Sequence, residues 1–214
     1  MSGILDLLNS DLGKTIISGV AGSTGQPQDK TGSLLTMALP VLMTAMKKNA
    51  ATTQGAEGLL GALSSKHDGS ILDNLGDLFG GGGVNQDVVA DGSKILGHVL
   101  GGKQDNVANA LGQKSGMDAG SVAQILKVAA PLLMGVLGKQ AKQNNVNSAS
   151  GIEGLLGGLL KGNSPQQEQS FLESILDADG DGSVIDDVAG MVLGSGQKKK
   201  GGLGALLGGL FGKR

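Results

Sequence analysis

The sequence predicts an all-α protein built from a duplicated helical unit. One apolar segment occurs twice, as LLTMALPVLMTAM over Leu34–Met46 and as ILKVAAPLLMGVL over Ile125–Leu137, with a proline at the same place in each copy. A leucine-glycine segment follows each copy, at Glu57–Leu63 and at Glu153–Leu159. Tyr and Trp are absent and only three residues are Phe, so the aromatic residues that favour strands are scarce. One unit alone would bury too little apolar surface, and we therefore expect both copies to share a core.

The composition excludes several classes of function. Forty of the 214 residues are glycine, well above the usual share of about 7%. A net charge of −2 argues against a nucleic-acid-binding protein, which needs a basic face to neutralise phosphates. Cysteine is absent, which removes disulfides, thiol catalysis and cysteine-based zinc sites. The N-terminal residues lack a basic stretch before an apolar run, and the apolar segments of about 13 residues are shorter than the ~20 that span a bilayer, so we expect a cytoplasmic protein.

The chain divides into three predicted parts. Residues 1–83 form an N-terminal helical repeat, and residues 84–196 form a C-terminal helical repeat with a metal-binding loop at 177–188. Residues 197–214 form a basic tail rich in leucine and glycine. The four-glycine run Gly80–Gly83 is the best candidate for the boundary between the repeats, because consecutive glycines make a flexible linker.

The sequence predicts where the first apolar helix begins, and it places a proline inside both apolar segments. Ala21–Gly32 has the composition of a turn-rich connector, and Ser33 is placed to cap a helix that begins at Leu34. Pro40 and Pro131 then fall inside the two apolar segments, where a proline costs a helix about 3 kcal/mol or more. Each proline therefore either kinks one helix or opens a second helix as its first residue.

The C-terminal repeat begins with a helix pair. Asn106–Leu111 and Ser121–Leu137 have helical patterns and are joined by Gly112–Gly120, with Asp118 or Ser121 as the cap of the second helix. A DNA-reading helix would carry several Arg, Lys or Asn residues, whereas the second helix is mostly apolar or small. A packed core helix pair is therefore favoured over DNA binding.

The pattern VANALGQKSGMDAGSVAQILKVAAPLL in this region resembles the bacterial YidB-like family, a domain of unknown function. The resemblance implies a compact all-helical fold with a homeodomain-like arrangement of helices, and it brings no established activity. It is carried by an alanine-leucine-glycine helix, a turn containing Asp, and an apolar helix broken by Pro, here Ala110, Leu111, Gly112, Asp118 and Pro131.

One stretch carries recognisable metal chemistry. Residues 177–188 lie between two apolar helical patterns and begin with the pattern DxDxDG. This pattern is the first half of an EF-hand calcium loop. Val188 stands where a bidentate Glu is expected, so the carboxylate one residue earlier is the favoured last ligand. The predicted Ca²⁺ ligands are Asp177, Asp179, Asp181, the carbonyl of Ser183, and Asp187.

The first repeat holds a related sequence without the extra acids. His67–Leu75 aligns with Gly180–Val188 and keeps the D-G-S core, but Ser64 and Lys66 stand where the second repeat has Asp177 and Asp179. A capping turn without metal also explains that core, and it is the alternative for the second copy. An unpaired loop without the usual Glu should bind calcium weakly, with a dissociation constant on the order of 10⁻⁴ M.

The tail supports two interpretations. Leu203, Leu206, Leu207, Leu210 and Phe211 lie on one predicted helical face after three consecutive lysines. The tail is expected to dock on this protein or on a second copy, and the alternatives are contact with an anionic membrane surface or a disordered segment.

No enzyme motif is present, and we expect a protein that is not an enzyme. The chain has no nucleophile elbow, phosphate-binding loop or H-E-x-x-H motif. Neither of its two histidines, His67 and His98, has a Cys or a paired carboxylate at metal-ligand spacing, and His98 is expected to be a core or edge residue. The sequence thus favours a helical scaffold or interaction protein with one structural calcium loop. The alternative is a peripheral membrane or envelope-associated protein that uses its basic tail.

Overall fold

A computed structural model describes residues 4–80 and 85–161, and within these ranges the protein is helical without strands. The predicted all-α class is therefore confirmed. Two short 3-10 turns, Ser70–Asn74 and Gly101–Lys103, interrupt the series of α-helices. In chain order the α-helices are α1 (Ile4–Asn9), α2 (Asp11–Thr24), α3 (Gln28–Ala50), α4 (Thr53–Ser64), α5 (Leu75–Phe79), α6 (Gln86–Leu100), α7 (Gln104–Ser115), α8 (Ala119–Gln143) and α9 (Ala149–Lys161).

The helices that precede α3 and α8 end with the same chemistry. Gly25 ends α2 and Gly116 ends α7, both in the left-handed conformation, with φ of 66° and 67°. Glycine adopts this conformation without the penalty that a Cβ imposes. Of the two predicted caps, Asp118 is the one that caps α8, because its Oδ1 accepts a hydrogen bond from the Ser121 N–H at 2.8 Å.

Three of the predicted helix ends were wrong. Helix α3 begins at Gln28, so Ser33 lies inside the helix and does not cap it. The residues between α2 and α3 reduce to 25–27, because Gly25 ends one helix and Pro27, with φ of −58°, is already set to start the next. Helix α7 likewise continues past Leu111 to Ser115. In each case glycines that suggested a connector lie within a helix, where tertiary packing overrides their low propensity.

Both prolines lie inside single continuous helices, Pro40 in α3 and Pro131 in α8, so neither opens a second helix. Since Pro131 has no N–H, the Lys127 carbonyl four residues earlier lacks its usual intrahelical donor. Gly92 of α6 packs against that carbonyl so closely that a Cβ at this position would overlap the oxygen. Helix α8 therefore lacks one backbone hydrogen bond, and the backbone of α6 makes its close approach at the same carbonyl.

The core is shared between the two repeats. Helix α3 packs against α7 and α9 of the second repeat, and helix α8 packs against α2 and α4 of the first. Buried residues of both repeats form one continuous cluster. The largest of the fully buried side chains are Ile4, Leu34, Leu35, Leu42, Met43, Met46, Leu111, Ile125, Leu126, Leu132, Leu137 and Ile152.

Within the described residues one helix, α8, is long and apolar enough to cross a membrane by length and composition alone. Its most apolar window is 72% buried inside the protein. A central helix of a helical core passes the same test, because it is surrounded by other apolar helices. The apolarity of α8 is therefore explained by its place in the core.

Candidate functional site

The D-G-S turn of the first repeat lies directly after α4. Asp68 Oδ1 accepts a hydrogen bond from the Ser70 N–H at 3.1 Å, and Gly69 between them has φ of 104°. The other carboxylate oxygen, Oδ2, lies 2.9 Å from Nζ of Lys142 at the end of α8. The Lys142 ammonium, followed by the Ser70 bonds, holds the pKa of Asp68 well below its ordinary value. A lysine of the second repeat thus supplies the cation for the carboxylate of this turn.

Two glycines of α8 let the turn approach the helix. A Cβ at Gly138 would overlap the carbonyl oxygen of His67, and a Cβ at Gly135 would overlap the side chain of Ile71. Because neither position has a side chain, the turn rests directly on the helix backbone. The turn of the first repeat is therefore part of the contact between the two repeats.

The predicted calcium ligands Asp177, Asp179, Asp181, Ser183 and Asp187 lie outside the described residues, as does the tail from 197 to 214. Among residues 4–80 and 85–161, no group of three or more His, Cys, Asp or Glu side chains could hold a metal ion. The related turn at Asp68 accordingly offers one carboxylate and a lysine, and it is not a metal site by its donor set.

A cleft of about 600 Å³ opens between α3, α4 and α6, beside the same turn. Its size lies in the range of small-molecule sites, about 300–1,000 Å³. The apolar lining comes from all three helices and from α8, at Met46, Leu59, Ala62, Ile95, Val99 and Met134. The polar lining includes both histidines of the chain and two charged residues of α6, namely His67, His98, Asp91 and Lys94.

An ion-pair cluster forms one end of the cleft. His67 is 7% exposed, and its Nε2 lies 3.7 Å from Oδ2 of Asp91, whose other oxygen contacts the Lys66 ammonium. Burial lowers the pKa of His67, and the Asp91 charge opposes that effect only in part. The imidazole is therefore neutral at pH 7, and Asp91 is balanced by Lys66.

Two other polar side chains of the cleft form hydrogen bonds with the backbone, whereas a third, a lysine, forms no ion pair in the described part of the chain. Asn49 Nδ2 donates to the carbonyls of His98 and Val99, each at 3.0 Å, and thereby ties α3 to α6. Thr52 caps α4 by accepting a hydrogen bond from the Gly55 N–H at 3.1 Å. Lys94 is exposed at the cleft and, in the described part of the chain, has no carboxylate within salt-bridge distance. Of the described residues that line the cleft, Lys94 is the cation left available to a ligand.

The cleft was not predicted from the sequence. Along the chain, His67 has no paired carboxylate at metal-ligand spacing, but the fold brings Asp91 of α6 to within 3.7 Å of its Nε2. His98 was expected in the core or at its edge, but it is exposed on the cleft. The sequence did contain one indication of a polar site. Asp91, Lys94 and His98 are spaced so that they lie on one face of a helix.

Fold and site together define an all-α protein with one core that helices from both halves of the chain share. The profile of a bacterial family described as "Bacterial protein of unknown function (DUF937)" matches the chain over residues 6–140 and 142–214, which is nearly its whole length. The chain belongs to this family. No curated protein and no solved structure matches it. The YidB-like relationship and the homeodomain-like arrangement of helices stay predictions.

Proposed function

We propose that the protein is a non-enzymatic helical scaffold whose second repeat carries a structural calcium-binding loop at 177–188. The observation that carries this proposal is the contact between Asp68 and Lys142 at 2.9 Å. It indicates that the D-G-S turn recruits a cation to its carboxylate even where only one carboxylate is available.

The second repeat raises the negative charge of the same turn. In the first repeat the three positions are Ser64, Lys66 and Asp68, with formal charges of 0, +1 and −1. In the second repeat all three are Asp, which adds up to −3 within five residues. Carboxylates at alternating positions of a DxDxDG loop are the ligands that Ca²⁺ prefers, because it is a hard cation with flexible coordination. Calcium would therefore neutralise the second turn, as Lys142 neutralises Asp68 in the turn of the first repeat.

A calorimetric titration of the intact chain with calcium tests the proposal. We expect one site with a dissociation constant on the order of 10⁻⁴ M. Asp179→Ala should abolish the calcium heat, and the control Asp77→Ala, which removes an exposed carboxylate of α5, should leave it unchanged. The absence of calcium heat from the intact chain, or the same heat in Asp179→Ala, would overturn the proposal.

The tail adds a proposal of its own about partners. Its leucine-glycine pattern repeats Gly154–Leu159, part of α9, which packs against α3 and α4. This relationship supports docking of the tail on the protein or on a second copy, in the cytoplasm, over membrane binding. Co-sedimentation with anionic liposomes that is lost when residues 201–214 are deleted would reverse that preference.

A further inference from the structure

We propose that the cleft between α3, α4 and α6 binds a small amphipathic anion, of the class of straight-chain monocarboxylates. Its carboxylate would pair with Lys94, and its alkyl chain would lie against the apolar lining. This inference rests on the cleft alone and does not depend on the calcium loop.

The first argument is the apolar wall. Met46, Leu59, Ile95 and Val99 come from three helices, two of which the Asn49 hydrogen bonds hold together. A preformed cleft loses little entropy when an alkyl chain enters it. Each methylene that becomes buried then adds to the affinity through the hydrophobic effect.

The second argument is the charge at the cleft. Asp91 is the carboxylate in the lining, and one of its oxygens pairs with the Lys66 ammonium while the other lies 3.7 Å from Nε2 of His67. Because burial keeps His67 neutral, the Asp91 and Lys66 charges cancel locally. Among the described residues, Lys94 then leaves the cleft with one uncompensated positive charge, which favours an anion over a neutral or cationic ligand. His98, one turn after Lys94, adds a hydrogen-bonding group at the same place.

The glycines of α4 provide a direct way to block the cleft. Gly58 lines it and Gly61 does not, although both are exposed helical glycines with open space where a Cβ would lie. Gly58→Leu should therefore fold normally, since leucine has the higher helix propensity, while its side chain fills the site. Gly61→Leu is the matched control, because it makes the same chemical change outside the cleft.

The test is calorimetric titration of the intact chain with octanoate, 1-octanol and octyltrimethylammonium. We expect octanoate to bind more tightly than both others, and Gly58→Leu to abolish this binding while Gly61→Leu keeps it. Lys94→Gln should weaken octanoate about fivefold, the size of a partly exposed ion pair, without changing octanol. Lys30→Gln, an exposed lysine of α3 away from the cleft, should leave both unchanged.

Three results would overturn the inference. Octanoate that does not bind the wild-type chain would show that the cleft does not take this class of ligand. Equal affinity for octanoate and octyltrimethylammonium would show that Lys94 does not select charge. Undiminished binding to Gly58→Leu would place the octanoate outside the cleft.

Discussion

Lys142 at the end of α8 holds the carboxylate of Asp68, 74 positions earlier in the chain, at 2.9 Å. The contact joins the two repeats, since Asp68 follows α4 of the first and α8 belongs to the second. It also places a positive charge on the turn that corresponds in sequence to residues 177–188, where the second repeat has two additional carboxylates and is proposed to bind calcium. One contact thus bears on both the assembly of the fold and its proposed function.

Replacing Lys142 with alanine should lower the midpoint of thermal unfolding at pH 7. It should also reduce the difference between the midpoints at pH 7 and pH 3. The folded-state pKa of Asp68 is depressed, so its contribution is present above the ordinary carboxylate value of about 4 and is lost as the pH falls below it. Without Lys142 most of that contribution is already missing at pH 7. Circular dichroism melts at pH 7 and pH 3 measure both effects.

The control for this prediction is Lys139→Ala, one turn earlier on α8, where the described part of the chain places no carboxylate within salt-bridge distance. It should keep the wild-type difference between pH 7 and pH 3. If Lys142→Ala and Lys139→Ala lose stability in acid to the same extent, the Asp68 contact does not account for the pH dependence.

Gly92→Ala should destabilise the fold by about 1–3 kcal/mol, the usual cost of overpacking a tight site. The added methyl group would overlap the Lys127 carbonyl oxygen, and backbone cannot move aside as a flexible side chain can. Gly97→Ala in the same helix has only a contact of 3.9 Å to the Gln104 amide and should be neutral or stabilising. Urea unfolding of both variants compares them, and equal free energies of unfolding would contradict the proposed close approach.

His67 should make stability fall as the pH drops below about 6.5, its ordinary pKa. Because burial lowers the folded-state pKa, the unfolded chain takes up the proton first, and protonation favours unfolding until the pH passes the lower folded-state value. His67→Gln should reduce the change in midpoint between pH 7 and pH 5. His98→Gln should retain the wild-type change, since His98 is exposed. A change that disappears in His98→Gln and persists in His67→Gln would refute this assignment.

The sequence predicted the helical class because its strongest signal, the repeated apolar segment, corresponds to the two central helices α3 and α8. It did not predict the helix ends, since Gly32 and Gly112 suggest connectors by composition but lie inside helices. Their low helix propensity costs about 1 kcal/mol each, which packing readily exceeds.

The cleft could not be predicted from local sequence patterns, because residues that are far apart in the chain form it. His67 and Asp91 meet only because the turn after α4 rests on α8 beside α6. That arrangement depends on Gly138 and Gly92, whose missing side chains permit the close backbone approaches. No local pattern records which helix a glycine will face. The predicted calcium ligands, in contrast, were read from spacing alone and stay a prediction.

Thermal unfolding of the intact chain in excess calcium and in chelator tests the calcium-binding scaffold most directly. A ligand present at 100 times its dissociation constant, about 10 mM here, should stabilise the folded state by about 2.7 kcal/mol. We predict a higher midpoint in calcium for the wild type and for Asp77→Ala, and no difference between calcium and chelator for Asp179→Ala. Identical midpoints for the wild type in both solutions would contradict the account and leave residues 177–188 as a capping turn.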